Sequence, residues 1–194
     1  MTTGRLVVLE GVDGVGKTTL VQMLFEHLNN VGQPTIKQSF PGKRDGTLGA
    51  HIYRVHHEME EYNIESVHPM SKQILHIASH IDNIEVDIKP ALKGGSNVIL
   101  DRFWWSTYVY GMVYGVKRVP LLKAIDVELY YWQNVPSIVF LIDVDKPRNR
   151  EMDSNWFDLK YKYLNLCEQE AGIVILNNGP IEETFVQILS HLEG

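Results

Sequence analysis

The stretch that most limits what this chain can fold into is Arg5 to Leu20, RLVVLEGVDGVGKTTL. Four apolar residues, Leu6 to Leu9, run into the turn Gly11-Val12-Asp13-Gly14-Val15-Gly16-Lys17-Thr18, which fills G-x-x-x-x-G-K-[ST] at each fixed position. An amphipathic pattern follows at once, with Leu20, Leu24 and Leu28 at i, i+4 and i+8. Strand, glycine loop and helix in that order predict a phosphate-binding site. Gly11, Gly14 and Gly16 let successive N–H groups of the loop, those of Val12 and Val15 included, turn inward around an anion. The helix that opens through Lys17, Thr18 and Thr19 adds its positive dipole end. The Lys17 ammonium suits the outer phosphates, and the Thr18 hydroxyl suits Mg²⁺.

The remainder alternates strand and helix. Apolar runs suited to buried parallel strands occur at Leu6–Glu10, Thr35–Phe40, Asn97–Leu100, Ser137–Ile142 and Ile173–Leu176, with helical periodicity between them. This predicts an α/β fold in three layers, a five-stranded parallel sheet flanked by helices. No repeat, low-complexity run or linker breaks 1–194, so the expectation is one domain. The 44% hydrophobic and 22% charged content is ordinary for a globular chain, and the net charge of -6 argues against nucleic acid as the main partner. One cysteine, Cys167, excludes an intrachain disulfide. No apolar run approaches the length of a membrane span, and Met1 to Arg5 is too short for a signal peptide, so no membrane partner and a cytoplasmic location are expected.

Ligands of open parallel sheets sit beyond the carboxyl ends of the strands. Three further segments fall there. Phe40-Pro41-Gly42-Lys43-Arg44 follows the second strand, and its basic pair suits either a second anionic group or a solvated turn. Asp101-Arg102 ends the third. The carboxylate there suits Mg²⁺ or an acceptor hydroxyl, and the planar guanidinium suits a transferring phosphoryl group; a structural Asp–Arg pair is the alternative. The polar segment 144–154 after the fourth strand carries Arg148 and Arg150 and reads as a lid over phosphates or as a solvated loop.

A long helix is expected over residues 70–93. Ile74, Ile77, Ile81, Ile84 and Ile88 form its apolar stripe, and His76, His80, Asn83 and Asp87 lie on the flank. The two histidines suit the polar wall of a substrate pocket, a plain solvated flank, or a metal site if a third ligand joins them. Among the aromatics at 103–110, one or two are candidates to stack on a base. The last helix, from Pro180, reads as packing only.

These residues resemble the thymidylate kinase family over nearly the whole chain. The resemblance rests on Val8 to Thr19, on the Phe40-to-Arg44 loop, on Ile88-Lys89-Pro90-Ala91-Leu92-Lys93-Gly94-Gly95, and on Asp101-Arg102-Phe103-Trp104-Trp105-Ser106 with Tyr110 beyond it. It implies a five-stranded parallel core, a homodimer, and transfer of the ATP γ-phosphoryl group, with Mg²⁺, to a deoxynucleoside monophosphate; dTMP is the family's acceptor, and the His76/His80 departure below leaves a modified pyrimidine as the alternative. It places Lys17, Asp13, Arg102 and Asp101 in the chemistry. The acceptor would meet Asp13, Phe40, Pro41, Lys43, Arg44, His76, His80, Asn83, Arg102, Ser106 and Tyr110. Departures from the family pattern cluster on the acceptor side. His76 and His80 stand where relatives carry Phe and Arg, Val109-Tyr110-Gly111-Met112 lacks the family's glutamine, and the lid is about a dozen residues short. A nucleoside kinase, a GTP-binding switch and a non-catalytic relative are the competing readings; the absence of an N-K-x-D sequence counts against the switch.

Overall fold

The computed structural model describes residues 3–42, 44–148, 152 and 154–193. Five strands, β1 (Leu6–Glu10), β2 (Thr35–Ser39), β3 (Asn97–Asp101), β4 (Ser137–Asp143) and β5 (Ile173–Leu176), form one parallel sheet in the order β2-β3-β1-β4-β5. β1 is central and buried along its whole length, which is why it reads as an unbroken apolar run rather than an alternating one. The register aligns Leu9 with Asp101 and Ser39 with Asp101, so the ends of β1, β2 and β3 meet at one carboxyl edge.

The flanking helices are α1 (Lys17–Asn30), α2 (Leu48–His57), α3 (Pro69–Asn83), α4 (Lys89–Lys93), α5 (Trp104–Val113), α6 (Arg118–Trp132), α7 (Trp156–Gln169) and α8 (Ile181–Glu193). α2 and α3 start on side-chain caps: Thr47 Oγ1 accepts from the Ala50 amide and His68 Nδ1 from the Met70 amide. α1 starts instead on Gly16, left-handed at φ 93°, with no side-chain cap, which leaves its first amides for an anion.

The expected helix over 70–93 is present with two differences. A π-helical turn, Ile84–Ile88, joins α3 to α4 just before Pro90, whose ring has no N–H to give and crowds the carbonyl four residues back. The buried stripe is also rotated. Gln73, Ile77, His80, Ile84 and Ile88 face inward, Ile81 is half-buried, and Ile74 is exposed. His80 therefore stands in the middle of the packed face rather than on its flank. The C-terminal helix begins at Ile181, and its Thr184 reaches the phosphate-loop brace described below, so it does more than pack.

Candidate active site

The glycine loop between β1 and α1 is held from below by backbone contact. Gly11 has φ 136°, and a Cβ there would come within 2.5 Å of the Ile142 carbonyl oxygen, so glycine is required on both counts. Lys17 is buried and its ammonium donates to the Gly11 and Val12 carbonyls, each at 2.8 Å. Burial lowers its pKa to about 8; the Arg102 charge adds to the effect, and Asp101, Asp13 and Glu10 oppose it.

Asp101, at the end of β3, faces the first turn of α1. Thr18 Oγ1 donates to its Oδ2 at 3.0 Å, while the buried Oδ1 has no partner among the described residues. A hydroxyl and a carboxylate with an unused oxygen, beside a phosphate loop, make a donor set that fits Mg²⁺. The next residue, Arg102, has a left-handed backbone at φ 75°, and its amide donates to the Leu9 carbonyl. That bend turns the guanidinium back over the loop. Its Nη2 pairs with Asp13 Oδ1, its Nη1 donates to Ser106 Oγ at 3.1 Å, and its carbon sits 5.3 Å from the Tyr110 ring centroid.

Behind Arg102 lies a buried network that the sequence reading did not single out. Glu10 Oε1 accepts from the Phe103 and Ser106 amides at 2.7 and 3.0 Å, capping α5, and its Oε2 accepts from Ser106 Oγ at 2.8 Å. Tyr163 Oη lies 2.7 Å from the same hydroxyl. Burial pushes the Glu10 carboxyl up, while Arg102, the Ser106 hydroxyl, Lys17 and the Phe103 amide pull it back. Ser106, expected at the substrate, turns its hydroxyl inward onto Glu10 and Tyr163 and accepts there from Arg102 as well. A carboxylate directly before Gly11 was the available signal for Glu10. For Tyr163, one aromatic in an amphipathic helix, there was none.

Asn177 braces the outer side of the loop. Its Nδ2 donates to the Val15 carbonyl, and its Oδ1 accepts from Thr184 Oγ1 and Arg148 Nη1, all at 2.8 Å. The Arg148 amide donates to the Gly14 carbonyl at 2.7 Å, and its Nη2 binds the Gly179 carbonyl. The Arg148 guanidinium is thus tied into the β5–α8 turn, where the Gly179 carbonyl and the Asn177 amide oxygen accept from it. Arg150 and Lys43 lie outside the described residues.

On the opposite side, Phe40 stacks on the His80 imidazole with centroids 3.9 Å apart. His80 Nδ1 meets Glu128 Oε2 at 2.9 Å, and the other oxygen of this fully buried carboxylate accepts from Trp132 Nε1. His76 Nε2 lies 3.1 Å from His56 Nδ1. Burial holds His76 well below the usual histidine range, and the charges of His80, His56 and Arg102 add to this. Among the described residues, no group of three His, Cys, Asp or Glu is arranged to hold a metal, so the metal reading of the His76/His80 pair finds no third ligand. Arg44 pairs with Asp87 at 2.7 Å across the α3 end, and Asn83 Oδ1, whose residue lines a cavity with Pro41, is buried without a partner among the described residues.

The family model described as thymidylate kinase matches residues 9–152. The thymidylate kinase of Fervidobacterium nodosum is 31% identical over 94% of this chain and 95% of its own. That of Dinoroseobacter shibae is 32% identical over 97% and 96%. The crystal structure of thymidylate kinase from Ehrlichia chaffeensis superposes with a TM-score of 0.80 over 98% of this chain and 99% of that one at 21% identity, a likeness of fold. The chain belongs to the thymidylate kinase family.

Proposed function

We propose that this chain transfers the γ-phosphoryl group of ATP to a deoxynucleoside monophosphate of the dTMP class, acting as one unit over its length. The observation that carries the reading is Arg102: it leaves the strand edge in a left-handed turn and bridges to Asp13 inside the phosphate loop, beside the Thr18–Asp101 pair. Lys17 and Arg102 would draw charge off the phosphoryl group as it passes between donor and acceptor. Thr18 and Asp101 would hold Mg²⁺, which neutralises charge on the donor phosphates. A phosphate oxygen of the acceptor is already ionised at neutral pH and needs no general base, whereas a nucleoside hydroxyl does. The carboxylates nearest the loop, engaged by Thr18 and Arg102, suit the first case. Phe40, Pro41, Asn83, His76, His80 and Tyr110 would form the acceptor wall, and the basic side chains of Lys43 and Arg44 would suit the acceptor's phosphate.

A homodimer is supported by exposed apolar side chains on α6, where Val119, Val127 and Tyr130 share one sector, and by Ile74 and Leu75 on α3. No helix among the described residues is long and apolar enough to cross a membrane, consistent with action in the cytoplasm. A panel of nucleosides and nucleoside monophosphates with ATP and Mg²⁺ tests the reading. Monophosphates of the dTMP class should turn over, and Lys17→Ala should abolish it. Turnover of nucleosides alone would support a nucleoside kinase instead.

A further inference from the structure

Resting on that reading, we propose that Glu10 and Tyr163 are positioning residues for Arg102, acting through the Ser106 hydroxyl. A serine hydroxyl has one proton to give and two lone pairs. Here all three are spoken for. Oε2 of the Glu10 carboxylate can only accept, so the Ser106 proton points to it at 2.8 Å. With that proton committed, the 2.7 Å contact to Tyr163 is a donation from the phenol. The second lone pair faces Arg102 Nη1 at 3.1 Å. The hydroxyl is thereby locked as an acceptor toward the guanidinium. Glu10 is itself immobilised by two amides at the start of α5, and Glu10 and Tyr163 are both fully buried.

The lock joins three elements, β1 through Glu10, α5 through Ser106 and α7 through Tyr163. Tyr163 stands on α7, which follows the segment 144–154. From the same helix, Trp156 Nε1 donates to the Asp13 carbonyl at 3.2 Å and Lys160 pairs with Asp143 at 3.0 Å. Residues 156, 160 and 163 lie on one face at i, i+4 and i+7. One helix face therefore bears on both ends of the Asp13–Arg102 bridge.

In Glu10→Gln the new amide donates to Ser106. Its proton must then turn toward Tyr163 or Arg102, and the saturated arrangement is lost. Glu10→Gln and Ser106→Ala are each expected to lower kcat about tenfold or more, with KM for ATP within about threefold, as for a group that acts chiefly in the transition state. Because both act through one hydroxyl, Glu10→Gln/Ser106→Ala should be no slower than the slower single variant. Tyr163→Phe should lower kcat in the same sense by a smaller factor. It decides the matter should thermal unfolding show that Glu10→Gln does not fold. ¹⁵N-resolved NMR of the Arg102 guanidinium gives a readout independent of turnover. A slowly exchanging Nη signal should be present in the wild type and lost in Glu10→Gln and Tyr163→Phe. An unmoved kcat and an unmoved Arg102 signal in the folded variants would overturn the proposal, as would losses that multiply in the double variant. A wild type with the Arg102 signal but no turnover on any acceptor would overturn the phosphoryl-transfer reading and leave the positioning lock standing.

Discussion

Lys17 is the residue whose environment most directly predicts behaviour in solution. Its ammonium is buried against two carbonyls, and burial holds its pKa down to about 8. It is charged below that value and neutral above it. kcat/KM for ATP, which reports the free enzyme, should therefore fall as pH rises through about 8. Bound phosphates favour the ammonium, so the corresponding limb in kcat should lie at higher pH. A pH profile of initial rates at limiting and saturating ATP checks this, and superimposed limbs would argue against Lys17 contacting the donor. For stability the sign is opposite. The unfolded chain holds the proton up to the ordinary lysine pKa, so this group adds stability as pH rises past 8. Arg102 shows a different residue-scale effect, since a left-handed backbone at a non-glycine residue costs about 1 kcal/mol or more. The bond to Leu9 and the pair with Asp13 hold it there.

At the scale of elements, α2 and α3 are joined through imidazoles. His56 on α2 and His76 on α3 share a hydrogen bond, which needs one ring nitrogen to donate and the other to accept. Burial lowers the His56 pKa to about 4, with Lys72 and His57 adding repulsion, and burial also holds that of His76 well below the usual range. Both folded-state values lie below the unfolded value near 6.5. The unfolded chain therefore binds protons first as pH falls, and the stability of the neutral pair is lost between about 6.5 and 4. Tm measured across that range should fall more steeply for the wild type than for His56→Gln/His76→Gln. Parallel curves would show that the pair is not the acid-sensitive link.

At the scale of the whole molecule, α6 presents a sector of exposed large apolar side chains, Val119, Val127 and Tyr130, that is poorly suited to water. Sedimentation should give twice the chain mass, and Val127→Asp with Tyr130→Asp should give monomers that still fold. A wild-type monomer at micromolar concentration would end the homodimer reading. The sheet order β2-β3-β1-β4-β5 has its own consequence at this scale. It brings β1, which leads into the phosphate loop, beside β3, which ends on Asp101 next to Arg102, although 86 residues, 11–96, separate the two strands in sequence.

The strands, the sheet class and the phosphate loop were legible in the chain because each is a local pattern. A buried parallel strand must be apolar along its length, and a loop that curls around an anion must carry glycine where φ is positive. The strand ends agree within one residue of the expected limits, and Leu6–Glu10 and Ile173–Leu176 agree at both ends. What tertiary structure alone decided is which polar groups meet. Glu128 looks like one more charge on a surface helix, yet it is buried beneath His80 and Trp132. Asn177 looks like a turn residue, yet it holds Val15, Arg148 and Thr184 together. Arg148 looks like a lid arginine and is tied to the β5–α8 turn. A hydrogen bond's partner is set by the distance across the fold, which periodicity does not encode. For the same reason, the motif marked Arg102 as a phosphoryl-binding group without marking Glu10 and Tyr163, the side chains that aim it.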